Sequence, residues 1–394
     1  MVETAARHTA RAARGRHVLA IQDTTELNFA AHADSKRGFG KVGNGVDIGL
    51  FLHPVIVADA QSGGLLGLVE ALMHNRTGRP ETHRKKRPLE QKESQRWLDG
   101  LRAAGQALST TARLVTVITD REGDIYAELA EPRPANVHLL IRSGQDRSLA
   151  GGGKLFAAGD ALPGAGQRLV RVPARPGRPA RDAVLTIAFG SIDIARPDYL
   201  PKTLPDKVNL RLVIAREIDP PPGETPICWR LLTTHAVADR AAARQVIDLY
   251  RQRWLIEQVF RTLKTQGLDI EESQVLDPQT MTKLATAALI AAVRIMQLVM
   301  ARDGTTQQPL TDALDPADEP LLEALVRKLE GKTARQKNPH PRGSLARLAW
   351  VVGRLGGWDG YVGHGYKPAG PKTMAYGLQR FDAMKHGWSL RADV

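Results

Sequence analysis

The chain has 394 residues, 42% apolar and 25% charged, a length that allows two or three domains and a composition ordinary for a soluble globular protein. Its 55 Lys and Arg outnumber 42 Asp and Glu, and the formal net charge of +13 favours a polyanionic partner over a merely solvating basic surface. The single Cys228 excludes an internal disulfide and a multi-cysteine zinc centre, and it fits a reducing, cytoplasmic setting.

The opening residues hold Arg7, Arg11, Arg14 and Arg16 with no apolar core behind them, so no secretory signal is expected. From His17 to Phe29 (HVLAIQDTTELNF) an apolar run and then alternation predict a strand. Gly38, Gly40, Gly43 and Gly45 punctuate a loop, after which GLFLHPVIVADA and GGLLGLVEAL predict two more strands. A basic run, Arg84 to Arg87, precedes a predicted helix over 89–106. RLVTVITD (113–120) reads as a buried strand ending at Asp120, and a short helix from Gly123 leads to a further strand, VHLLIRS (137–143).

The predicted fold class is α/β, with an antiparallel hairpin portion first and a mixed sheet with helices over residues 1–144. Residues 145–236 are rich in Gly and Pro and carry strand-like runs such as AVLTIAFGSIDI and NLRLVIAR, an inserted antiparallel β subdomain. Helices return over 237–304. There the longest apolar stretch, Leu284 to Val293, is closed by Arg294, too short to span a bilayer and read as a buried helix. Residues 305–394 mix amphipathic helix with a Gly/Pro-rich stretch (363–373) and form a mainly helical C-terminal domain.

The most informative segment is YRQRWLIEQVFRTLK, residues 250–264. On a continuous helix Tyr250, Arg253, Glu257, Arg261 and Lys264 share a stripe about 80° wide, beside an apolar arc of Leu255, Ile256, Val259, Phe260 and Leu263. A carboxylate among cations suits a metal ion flanked by phosphates, but from the helix alone a solvated face with i,i+4 ion pairs is the favoured reading. Asp23 and Asp120 follow buried strands, where a carboxylate is costly unless it binds metal or accepts strong hydrogen bonds. Taken singly, each reads as a turn or capping residue. If the strands are neighbours and the helix packs on them, three carboxylates converge and can hold two hard divalent ions about 4 Å apart.

Together these residues resemble the insertion-sequence transposases of the IS-four group, relatives of the transposon-five transposase. That group carries an Asp in a D-T-T context, a D-R-E-x-D segment and Y-x2-R-x3-E-x6-K; here stand Asp23-Thr24-Thr25, Asp120-Arg121-Glu122-Gly123-Asp124, and Tyr250, Arg253, Glu257, Lys264. The resemblance implies a ribonuclease-H-like core in two parts, 1–144 and 237–304, interrupted by the β insertion. It assigns Asp23, Asp120 and Glu257 as catalytic metal ligands for two Mg²⁺ ions, with Mn²⁺ as a substitute. Tyr250, Arg253, Arg261 and Lys264 would face transposon-end DNA, and Trp229 would stack on a flipped base, its alternative being a core aromatic. The implied activity is cut-and-paste DNA transposition through a hairpin, by a homodimer paired through residues 305–394 and acting on transposon ends and target DNA.

Relatives carry a helical N-terminal domain that reads the terminal repeats, whereas only 22 residues precede Asp23 here. The expectation is therefore an N-terminally truncated chain with impaired end recognition. The competing readings are a non-catalytic DNA-binding remnant that inhibits transposition, and a structure-selective nuclease on the same fold. The runs Arg84–Arg87 and Arg327–Arg347 suit phosphate contacts or a solvated surface alike, and a histidine metal site at His74 and His83 lacks ligand spacing.

Overall fold

The computed structural model describes residues 1–76, 78, 87–172, 179–361 and 367–392. In chain order the elements are α1 (Val2–Ala12), β1 (His17–Gln22), β2 (Thr25–Asn28), β3 (Gly40–Lys41), β4 (Ile48–Asp59), β5 (Leu65–His74), α2 (Gln95–Leu108), β6 (Leu114–Thr119), α3 (Tyr126–Ala130), β7 (Val137–Arg142) and α4 (Leu155–Asp160). There follow β8 (Gly164–Val172), β9 (Arg181–Ala195), β10 (Lys207–Ile218), β11 (Cys228–Thr233), α5 (Arg240–Arg251), α6 (Leu255–Lys264), α7 (Pro278–Ala301), α8 (Glu319–Leu329), α9 (Leu345–Leu355) and α10 (Pro371–Ala392). The class is mixed α/β, with strands paired in both senses. Two compact units divide the chain: Met1–His83 with Gln106–Arg113 and Trp254–Val394, and Arg84–Gly105 with Leu114–Arg253.

In the first unit β4 is the organising strand, a near-continuous apolar run buried on both faces. β1 and β2 pair antiparallel along one side of it, and β5 and β3 also pair with it. α1, which sequence pattern did not announce, lies on β5, where Thr9 hydrogen bonds to the backbone of Leu68. α7 packs against β5, α6, α9 and α10. By length and composition α7 could cross a bilayer, but 50% of its apolar window is buried inside the structure, as expected of a core helix. Its C-terminal half joins α8, α9 and α10 around Trp350, Leu322 and Phe381 in one apolar cluster.

In the second unit β6 and β7 run parallel, and β11, β10, β9 and β8 continue from β7 in antiparallel sequence. The parallel pair is buried along almost its whole length. β9 alternates between buried and exposed positions, as a sheet with one solvated face should. α5 packs over β9 and β10, and Arg168 of β8 grips Asp248 of α5 at 2.7 Å.

Candidate functional site

In the first unit the sequence-predicted strand 17–29 is two strands, and the pairing explains the gap. β1 meets β4 from Val18↔Asp59 to Gln22↔Val55, and β2 resumes the same register at Thr25↔Leu52. That register sets Asp23 opposite Pro54, which brings no N–H to any ladder, so the pairing lapses there. The Thr24 hydroxyl meets His53 Nδ1 at 2.8 Å, and His53 Nε2 meets Gln22 Oε1 at 3.0 Å. This chain of polar groups pins the backbone on both sides of the half-buried Asp23, whose Oδ1 accepts the Thr24 N–H at 2.8 Å.

Glu257 lies in the first turn of α6, where the helix dipole favours a carboxylate. Ile256, Val259, Phe260 and Leu263 are buried as the apolar arc predicts; Glu257 is half-buried and Arg261 exposed. Lys264 Nζ stands 3.3 Å from Glu271, whose Oε1 also accepts the Asn28 N–H at 2.8 Å. One carboxylate thus ties the end of α6 to β2, the strand just after Asp23.

In the second unit Asp120 follows β6 and its Oδ1 caps a 3₁₀ turn, accepting the Glu122 N–H at 2.7 Å. β7 runs parallel with Thr119 beside Ile141, so Asp120 and Arg142 come next at the same end of the sheet. Arg142 donates to the Cys228 carbonyl at 3.2 Å, and its charge acts on the Tyr250 phenol. Tyr250 is buried near the end of α5, its ring 5.7 Å from that of Trp229 in an edge-to-face pair. Burial pushes the Tyr250 phenol pKa up; Arg253 and Arg142 pull it down, and Asp120 adds to the rise. In the second unit Trp229 thus packs on Tyr250, and Asp120, Arg142 and Arg253 are charges that act on its phenol. Sequence reasoning missed Arg142; its signal was a cation closing a buried strand.

The reading of 250–264 as one helix needs correction. α5 stops at Arg251, a 3₁₀ turn covers Gln252–Trp254, and α6 begins at Leu255. The tighter turn shifts the angular phase between the two helices, and Tyr250 is buried rather than on a solvated polar face. Asp23, Glu257, Arg261 and Lys264 belong to the first unit, and Asp120, Trp229, Tyr250 and Arg253 to the second. Among the described residues no group of three or more His, Cys, Asp or Glu side chains is placed to hold a metal ion.

The basic segments divide. Of the run Arg84–Arg87, residues 84–86 lie outside the described residues, as does His83; His74 packs its ring against Phe51. In the second run Arg347 is buried and grips Glu323 at 2.6 and 2.9 Å, with Arg342 at 3.4 Å from the same carboxylate. Lys337 pairs with Glu330 at 3.2 Å. Arg347 is thus a structural cation of the C-terminal region, not a surface phosphate contact.

The family described as Transposase DDE domain matches residues 9–294. The chain belongs to that family, whose members are metal-dependent DNA-cleaving enzymes. Among solved structures it is similar to a piggyBac transposase in a synaptic complex with hairpin DNA, at 8% identity and a TM-score of 0.32. The match covers 83% of this chain and 61% of that one.

Proposed function

We propose that this chain is a DNA transposase of the IS-four group that cuts transposon ends and joins them to target DNA. Its core would be ribonuclease-H-like, formed by residues 1–144 and 237–304 around the β insertion 145–236. Asp23, Asp120 and Glu257 would be the metal ligands. All three are half-buried oxygen donors, and carboxylates suit Mg²⁺, with Mn²⁺ as a substitute. Asp23 and Asp120 each anchor one oxygen on a neighbouring backbone N–H, which fixes their orientation before any ion arrives. Two divalent ions, when bound, would supply charge stabilisation at the attacked phosphate and its leaving oxygen.

The observation that carries the reading is the second unit's cluster. Asp120 stands with Arg142 and Arg253, two cations suited to phosphates, and with Trp229 packed on Tyr250, an aromatic platform suited to an unstacked base. Arg261 and Lys264 on α6 would hold the DNA backbone further along. Cutting would free a 3′-hydroxyl that attacks the opposite strand to give a hairpin and, after reopening, attacks target DNA. A homodimer joined through residues 305–394, acting in the cytoplasm, completes the proposal.

The test is a Mg²⁺-dependent assay on pre-nicked duplexes cut from the DNA that borders the gene on either side. Glu257→Ala should lose at least about 100-fold in strand transfer while keeping its melting temperature. Equal activity in variant and wild type would remove Glu257 from the chemistry.

A further inference from the structure

The D-R-E-x-D segment ends in an aspartate that the proposed reaction does not use. Asp124 is fully buried, and the Arg147 side chain beside it is only 5% exposed. Asp124 Oδ1 accepts Arg147 Nε–H at 2.7 Å. Its Oδ2 accepts the Ser143 hydroxyl at 3.0 Å, the Gly144 N–H at 2.9 Å and the Gln145 N–H at 3.0 Å. Its main-chain carbonyl accepts from Gln145 Nε2 at 3.0 Å and from Arg147 Nη2. Every one of these donors comes from residues 143–147, the stretch directly after β7. The two segments also touch elsewhere: a Cβ built on Gly144 would lie 3.0 Å from both Cβ and O of Arg121.

The parallel ladder of β6 and β7 last fixes their spacing at Thr119↔Ile141. Asp120 and Arg142 come immediately after that point, and the next tie between the two chains is Asp124. We propose that Asp124 is a positioning residue: with Arg147 it locks the turn carrying Asp120 to the strand end carrying Arg142, setting the spacing at which metal and phosphate are received. This rests on the function proposed above. A buried carboxylate with an ion partner and three further donors is costly to assemble and rigid once made, which suits a spacer whose error must stay below about 1 Å.

The experiment uses the full chain and three substitutions, with nicking of supercoiled plasmid in Mg²⁺, calorimetric titration with Mn²⁺, and thermal melting. Asp124→Asn puts an NH₂ group against either Arg147 Nε–H or the three donors at Oδ2, so one side becomes donor against donor. Gly144→Ala leaves the ion pair whole but wedges the segments apart. The expected result for Asp124→Asn is a fall of about 10- to 100-fold in turnover and in Mn²⁺ affinity per folded molecule. Gly144→Ala should move both the same way by several-fold, with melting near wild type. A merely structural role would lower melting and leave both quantities per folded molecule unchanged. Wild-type turnover and Mn²⁺ affinity in folded Asp124→Asn overturn the proposal; should that variant fail to fold, wild-type values in Gly144→Ala do so. Asp120→Ala separates the two claims, because wild-type nicking in that variant refutes the proposed function whatever Asp124 does.

Discussion

Thr9→Val should destabilise the first unit by about 2 kcal/mol. Thr9 is buried, and its hydroxyl accepts the Leu68 N–H at 3.0 Å while facing the Leu68 carbonyl at 3.0 Å and the Ala5 carbonyl at 2.8 Å. The hydroxyl sits where β5 is irregular: pairing with β4 shifts near Gly67, whose φ is +157° and whose Cβ would collide with Thr9 Oγ1 at 2.1 Å. Valine fills the same volume but strands the Leu68 N–H, at about 1–3 kcal/mol. The hydroxyl has one proton for two carbonyls, so its donated bond counts once, at about 1 kcal/mol. The added methyl returns about 0.8 kcal/mol. Native-state hydrogen exchange is the direct assay, since a local loss of about 2 kcal/mol lowers protection of the β5 and α1 amides roughly thirtyfold. Protection unchanged within twofold in both elements would refute the assignment of α1 as a clamp on β5.

Two further predictions concern the second unit. Tyr250→Phe removes the hydroxyl of a buried tyrosine but keeps the edge-to-face contact with Trp229, so melting should fall by only a few degrees, corresponding to about 1–1.5 kcal/mol. The proposed site predicts a larger loss in DNA-end affinity than in stability, which a gel shift beside calorimetry would measure. Glu128 is fully buried, and burial, with the charge of Asp124, holds its carboxyl pKa well above the ordinary carboxylate range. Stability from such a group is complete below the unfolded pKa and is lost as pH rises through the folded one. Gln cannot ionise, so Glu128→Gln should gain on wild type as pH rises from 5 to 8, above the ordinary carboxylate range of the unfolded chain. A gap that stays flat over that range in urea titrations would show that Glu128 is ionised in the folded chain.

Much of the fold was legible because β4, β6 and β7 are near-continuous apolar runs, and β6 ends one residue short of the expected end at Asp120. What the pattern did not show came from pairing partners. Nothing within HVLAIQDTTELNF signals a break at Asp23; the cause is Pro54 on another strand, brought opposite by register. The 3₁₀ turn at Gln252–Trp254 is similarly invisible, since no Gly or Pro marks it and both flanks are good helix. Arg142 and Arg147 were passed over because an arginine after a buried strand looks like any solvated end until its partner is known. Helix α1 escaped because Val2 is its only apolar residue larger than alanine, and its one buried side chain is a threonine.

The two aspartates illustrate how one residue type at the end of a buried strand acquires different chemistry. Both meet the cost of a half-buried carboxylate in the same way, with a backbone N–H on Oδ1. Their surroundings then diverge. Asp23 is framed by Gln22, Thr24 and His53, a polar relay that holds geometry. Asp120 stands near a buried phenol flanked by Arg142 and Arg253, a field that favours anions beside it. Substitutions that preserve shape but alter charge should therefore be sharply asymmetric. Asp23→Asn should disturb metal affinity while leaving the salt dependence of DNA binding unchanged, because it removes a proposed metal ligand and no cation. Arg142→Gln should do the reverse, lowering the slope of log K against log salt by about one phosphate contact. If Asp23→Asn changed that slope as much as Arg142→Gln did, the separation of a geometric end from an electrostatic end would fall.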